Sequence, residues 1–438
     1  MDTYPEIAIH IPQILFPHPG IDLQKWSVVA CDQFTSQPGY WHQVEDLVGD
    51  APSTLHLILP ETYLEDGSRS QRIQAIHTAM RLYLEQNLFQ SYRGMVLVER
   101  TVNGKTRHGL VLALDLEQYD FRPGARTLIR ATEGTIMERL PPRIEIRQAA
   151  PLEVPHILVL IDDSQQTVIE PLVDQRNGLR QIYDFDLMLG GGHLTGWLVN
   201  ENSSVLQVVE AFRKLADPSN FNTKYGLQAN LGVLLFALGD GNHSFATAKA
   251  IWENIKGQVG KNHPARFAMV EVENIHDPGL EFEPIHRVLF NVQKELLAAF
   301  QTYFGQDFSL SSCSSPQEMI SKVDLQEGGE QQIGIINAEG YSVLSIRHPL
   351  FNLPVGTLQA FLDTWKKNGG ALKIDYVHGT ETVLQLGSQP GNMGFYLPPM
   401  PKEDLFKTVL VDGALPRKTF SMGEAKEKRF YLECRAIT

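Results

Sequence analysis

Cysteine is scarce and unpatterned. Cys31, Cys313 and Cys434 lie far apart, and no CxxC or Cys/His zinc spacing occurs. Three is an odd number, which excludes a complete disulfide framework and fits a reducing compartment. No stretch approaches the ~18 apolar residues of a membrane helix. The opening segment MDTYPEIAIHIPQILFPHPG lacks the apolar run of a secretion signal. A soluble, cytoplasmic protein without a membrane partner is expected. Basic runs are missing as well. Against 51 acidic residues stand 38 lysines and arginines, a net charge of −13. That balance repels a phosphodiester backbone, so nucleic acid is not an expected partner. Internal repeats, low-complexity tracts, a GxxxxGK[ST] loop and a complete GxGxxG are all absent.

What is present supports a large buried core and argues against global disorder. Of the 438 residues 43% are hydrophobic and 20% charged, enough for two or three cores. Apolar runs over 26–34, 53–63, 156–163, 230–240 and 265–274 read as strands. Helical spacing marks 70–89, 206–217, 244–256 and 289–304. Asn103-Gly104 between two strand-like runs predicts a hairpin. Prolines near 150 and a polar stretch over 305–330 suggest segments 1–150, 151–305 and 306–438. Strands interleaved with helices predict an α/β or α+β fold with mixed sheets.

The most chemically loaded stretch is LFALGDGNHSFATAKAIW (235–252), read as a strand, a tight turn and a helix start. Gly239 and Gly241 permit positive φ and close ligand approach. Asn242 or Ser244 suits a helix cap. The helix N-terminus favours an anion. His243 offers a donor or proton carrier, and Asp240 a carboxylate for a metal or a hydroxyl. A purely structural turn with satisfied caps is the competing reading.

Four segments carry a family resemblance over nearly the whole chain: VVACDQFTSQPGYW (28–41), FALGDGNHSFATAKA (236–250), DPGLEFEPIHRVL (277–289) and GALPRKTFSMGEAKEKRFYLECR (413–435). They resemble the family catalogued as domain of unknown function 1015, whose activity is not assigned. Most members read ADGHHR at the turn. That is similar to the DGHHR turn of serine kinases with the ParB/sulfiredoxin fold, where turn and helix hold nucleotide phosphates. The resemblance implies a ParB/sulfiredoxin-like strand-turn-helix in the centre of this chain, with N- and C-terminal residues converging on it. Asp240, Gly241 and His243 match. Asn242 replaces the first His, and Ser244 replaces the Arg, which removes a bidentate phosphate clamp.

Further candidates follow from position and residue type. Asp32 ends an apolar run and suits a general base or metal ligand; a turn-capping role is the alternative. Cys31 beside it reads as a small core residue. Arg126, Arg130, Arg139 and Arg143 punctuate a Thr/Gly/Glu-rich stretch that suits an anionic ligand or a solvated loop. His286 and Arg287 offer a proton carrier and a replacement phosphate clamp. Arg417 and Lys418 add two cations.

The leading expectation is a nucleotide-dependent phosphotransferase acting on a small hydroxylated metabolite, with ATP or ADP and Mg²⁺ as cofactors. Asp240 would hold the metal, Asp32 or Asp240 would take the acceptor proton, and Arg287 and Lys418 would neutralise charge. The alternatives are a non-catalytic nucleotide or metabolite binder and a phosphoester hydrolase. The sequence leaves substrate, nucleotide preference and oligomeric state open.

Overall fold

The computed structural model describes residues 3–35, 37–64, 67–122, 124–134, 136–227, 231–326 and 329–438. Ser36, Thr135 and Asn230, each part of a stretch considered above, lie outside them. The chain forms two compact units: Met1–Leu280 with Gly423–Thr438, and Glu281–Met422. Residue 150 lies inside the first unit and residue 305 inside the second.

The first unit is built on a large mixed sheet. Its strands run in the order Arg180–Asp186, His193–Val199, Met95–Val102, Lys105–Asp115, Phe267–Asn274, Leu158–Ile161, Phe236–Asp240, Ile129–Ala131 and Tyr119–Asp120. Leu158–Ile161 is parallel to Phe267–Asn274, and Phe236–Asp240 is parallel to Ile129–Ala131. Asn103 and Gly104, both left-handed, make the hairpin expected between Met95–Val102 and Lys105–Asp115. One face packs on helices Asn202–Leu215 and Asn242–Val259 through Val209, Phe212, Phe245 and Trp252, all essentially buried. The other face packs on Arg69–Glu85 and the N-terminal segments through Trp26, Trp41, Met80 and Met269.

Two expected strands take other forms. Residues 53–63 fold as 3-10 turns, Thr54–Leu57 and Glu61–Tyr63. The Ser53 hydroxyl accepts the Leu55 N–H, and both the Ser53 and Thr54 hydroxyls donate to Trp26 O, so local polar bonds replace a ladder. Residues 26–34 begin at the end of a short helix, Leu23–Trp26. Their buried Val28-Val29-Ala30 then makes a single bridge, Val29 to Phe430.

The second unit carries a seven-stranded antiparallel sheet. Its main path is Phe308–Cys313, Gly340–Ile346, Gln331–Asn337, Met393–Tyr396, Phe282–Val292 and Ala371–His378. Phe420–Met422 pairs with the start of Phe282–Val292. The expected helix 289–304 begins only at Leu296, because Val288 and Leu289 are claimed by sheet pairs on both sides. The 305–330 stretch, expected to hold a boundary, contains strand Phe308–Cys313 and helix Pro316–Leu325 within the second unit, and its Glu327 and Gly328 lie outside the described residues. Among the described residues no helix is long and apolar enough to cross a membrane.

Candidate functional site

The turn at 239–244 sits at the end of the site strand Phe236–Asp240 and opens the site helix Asn242–Val259. The two glycines do different jobs. Gly239 is the extra residue of a bulge: Asp240 pairs with Leu158 while Leu238 pairs with Val159. Gly241 is left-handed, with φ +76°. A Cβ there would lie 3.0 Å from Ile157 Cγ1 and 3.1 Å from Ile157 Cα, so backbone and space both require glycine. No side chain caps the site helix, which leaves its first N–H groups available to a ligand. The Asn242 Oδ1 is buried without a hydrogen-bond partner.

Asp240 is about a fifth exposed. Its Oδ1 accepts the Gly241 N–H at 2.9 Å, and its Oδ2 lies 3.5 Å from Lys428 Nζ. Burial disfavours the charged carboxylate. The Lys428 ammonium and the Gly241 N–H nevertheless hold its pKa below the ordinary carboxylate value. Lys428 is positioned from behind: the buried Arg100 guanidinium donates to the Lys426 and Lys428 carbonyls.

The C-terminal segment reaches the site by pairing with the N-terminal one. Ala30 N–H donates to Arg429 O and Tyr431 N–H to Val28 O. This brings Cys31 and Tyr431 together, and the Tyr431 hydroxyl accepts the Cys31 N–H at 3.1 Å. Arg429 donates through Nε to Pro155 O, fixing the residue before His156. Tyr431 Oη then lies 2.9 Å from His156 Nδ1, and His156 Nε2 lies 3.2 Å from Ser244 Oγ. Tyr431 is fully buried, so its own proton needs an acceptor. Donation to Nδ1 supplies one and assigns the ring proton to Nε2. Ser244 therefore accepts from His156 and keeps its hydroxyl proton to donate.

These residues border a cavity of about 130 Å³ lined by Cys31, Glu61, Arg143, His156, Ser244 and Tyr431 together with apolar side chains. Glu61 is tied to the N-terminal segment by its N–H to Cys31 O, at 2.8 Å, and its carboxylate is paired with Arg143. Burial pushes the Glu61 pKa up against the pull of Arg143. Burial also pushes the Cys31 thiol up, so it stays protonated and is no nucleophile.

The expected residues distribute as follows. Gly239, Asp240, Gly241, Asn242, His243 and Ser244 form the turn itself. Asp32 follows Cys31 directly, and its Oδ1 accepts from the Gln33 side chain. His243 Nε2 accepts the Ile136 N–H at 3.3 Å, which makes the ring a clasp for the neighbouring loop. Burial, with Arg143 and Arg139 nearby, lowers its pKa to about 4, so the ring is neutral. Arg130 is committed to the carbonyls of Thr127, Leu231, Gly232 and Val233.

Four of the expected residues belong to the second unit. Arg287 is fully buried there and donates to Gln359 Oε1 and to the carbonyls of Ile285, Lys418 and Arg417. His286 is buried, its Nδ1 accepts the Leu397 N–H, and burial beside Arg287 lowers its pKa to about 4. Arg417 and Lys418 are exposed, and Arg417 Nε donates to Tyr376 Oη. The residues that sequence reasoning did not select are Glu61, His156, Lys428 and Tyr431. Lys428 and Tyr431 lie in the segment 413–435 already marked by resemblance.

Residues 15–365 match the family model described as protein of unknown function (DUF1015). The chain belongs to the DUF1015 family. No curated protein matches it. This DUF1015 chain is similar in structure to a free serine kinase variant in complex with ADP, at TM-score 0.40 and 8% identity over 74% of this chain and 91% of that one. It is also similar to a conserved hypothetical protein from Pyrococcus furiosus, at TM-score 0.35 and 9% identity over 74% and 90%. A third is C-terminally truncated SbnI from Staphylococcus aureus, at TM-score 0.34 and 10% identity over 74% and 82%. Likeness at this level says nothing about chemistry.

Proposed function

We propose that the turn 239–244 holds the phosphates of a nucleotide and that the protein is a nucleotide-dependent phosphotransferase acting on a small hydroxylated metabolite. One observation carries the reading. An ionised Asp240, paired with Lys428, stands at the uncapped N-terminus of the site helix, beside Gly241, whose left-handed backbone turns the chain into that helix. A phosphate there would meet helix N–H groups and the Lys428 ammonium. The unpartnered Asn242 Oδ1 offers an acceptor to a ligand hydroxyl. Phosphoryl transfer needs chiefly this kind of positioning and charge neutralisation.

Mg²⁺ fits the site only together with the nucleotide. Among the described residues no cluster of three or more His, Cys, Asp or Glu side chains is placed to hold a metal. Mg²⁺ commonly takes one or two carboxylates and completes its shell with phosphate oxygens and water. Asp240 supplies such a carboxylate, and the metal would neutralise phosphate charge.

Ser244, standing where the DGHHR turn has Arg, favours a second reading: a nucleotide or metabolite binder without turnover. Hydrolysis of a phosphoester, with water as acceptor, is a third. Thermal unfolding against a nucleotide panel with and without Mg²⁺ tests the binding claim. A Mg²⁺-dependent rise in midpoint with ADP or ATP, lost in Asp240→Ala, is expected; no rise with any nucleotide overturns the assignment. ATP consumption on adding an acceptor then separates transferase from binder.

A further inference from the structure

The cavity beside Ser244 has walls of a particular chemistry. Its apolar lining includes Leu57, Leu59, Leu64, Met80, Ile146 and Val154. Its charged side chains are already matched within the wall. Glu61 is paired with Arg143. Glu153 is paired with Arg147 at 2.5 Å and Arg435 at 2.6 Å. With these arginines and glutamates engaged on one another, the wall offers a guest chiefly apolar surface.

The polar end of the cavity is equally defined. The Thr247 hydroxyl donates to His243 O at 2.8 Å and is thereby used. Tyr431 and His156 are spent on each other, on Cys31 N–H and on Ser244. The Ser244 hydroxyl, accepting from His156, retains a proton to donate. The cavity thus presents an apolar body, with the Ser244 hydroxyl as a hydrogen-bonding point at the helix that carries the turn.

We infer that this cavity binds a small uncharged alcohol with an apolar body, held at its oxygen by Ser244 and along its carbon skeleton by apolar lining residues such as Leu57, Leu59 and Met80. A cavity of about 130 Å³ is close in size to one that admits benzene. That suits a guest of roughly five or six carbon atoms. Polyols and amino acids are disfavoured, because they would leave hydroxyls or charges unpaired against leucine and methionine. The inference deepens the phosphotransferase reading, on which it rests for the transfer step: the alcohol oxygen would form the new O–P bond to the terminal phosphorus of ATP as the bond to the leaving ADP oxygen breaks, ADP departing with that electron pair and the hydroxyl proton passing to Asp240. The binding claim itself does not need the nucleotide.

The test uses the full chain labelled with ¹³C-methyl methionine. The Met80 methyl lines the cavity and is assigned by its loss in Met80→Leu. The probe is 3-methylbutan-1-ol, with glycerol and L-serine as polar comparators, all titrated without nucleotide. A saturable shift of the Met80 methyl with 3-methylbutan-1-ol alone is expected. It should weaken severalfold in Ser244→Ala and vanish in Ala150→Leu, since Ala150 also lines the cavity. If Ala150→Leu does not fold, the wild-type titrations and Ser244→Ala still decide. Shifts with glycerol or L-serine but not with the alcohol overturn the inference, as does no shift with any probe. ADP·Mg²⁺ binding is measured on the same samples. Alcohol binding without ADP binding would overturn the nucleotide reading and keep the cavity assignment; the converse would overturn the cavity assignment alone.

Discussion

The Tyr431 hydroxyl lies 2.9 Å from His156 Nδ1, although 275 residues separate them in sequence. That contact fixes which face of the imidazole carries the proton, and so what Ser244 can do. Tyr431→Phe removes the partner of His156 Nδ1 and of the Cys31 N–H together. A loss of about 1–3 kcal/mol is expected in urea unfolding, the cost of leaving buried polar groups unsatisfied. A change below a few tenths would show that the contact contributes little.

Lys428 is the main influence holding the Asp240 carboxyl down. In Lys428→Met the titration midpoint of Asp240, followed by carboxyl ¹³C shifts, should rise. ADP·Mg²⁺ affinity should fall by roughly tenfold, in line with loss of one charge-assisted contact. An unchanged affinity would place the phosphates elsewhere.

Gly241→Ala tests the turn. Its φ of +76° and the crowding against Ile157 predict a loss of about 1–3 kcal/mol and weaker nucleotide binding. Gly104→Ala serves as comparator: it is also left-handed, but its Cβ would meet nothing within 4 Å, so it should destabilise less.

His243 gives a pH dependence with a definite sign. Its folded pKa of about 4 lies below the ordinary 6.5. As pH falls through 6.5 the unfolded ring takes a proton that the folded ring refuses until about pH 4. The stability contributed by neutral His243 is complete above 6.5 and is lost across that window. His243→Gln, which keeps an acceptor for Ile136 N–H, should lose less stability than wild type between pH 7 and pH 5. Urea midpoints at the two values measure it, and parallel declines would contradict the assignment.

The parts of this fold that were legible in sequence are local. Asn103-Gly104 makes its hairpin because both residues accept positive φ, and Ile73, Ile76 and Met80 are buried along one helix as their spacing requires. The form of the turn was legible for the same reason, since strand end, glycines and helix start fall within six consecutive positions, Gly239 through Ser244. His156, Lys428 and Tyr431 were not, because what assembles them is long-range pairing: the bridge of Val29 with Phe430, and the antiparallel run of Leu158 beside Asp240. The apolar run at 289–292 misled for a related reason. Helical spacing there was overridden by a strand with partners on both edges.

The central claim is that nucleotide phosphates sit on the turn. Its most direct test is a crystal structure of the full chain with ADP and Mg²⁺. A diphosphate bonded to the backbone N–H groups that open the site helix, beside Lys428 Nζ and Asp240, is expected. Nucleotide bound away from residues 239–244, or a turn that stays empty at saturating ADP, would contradict it.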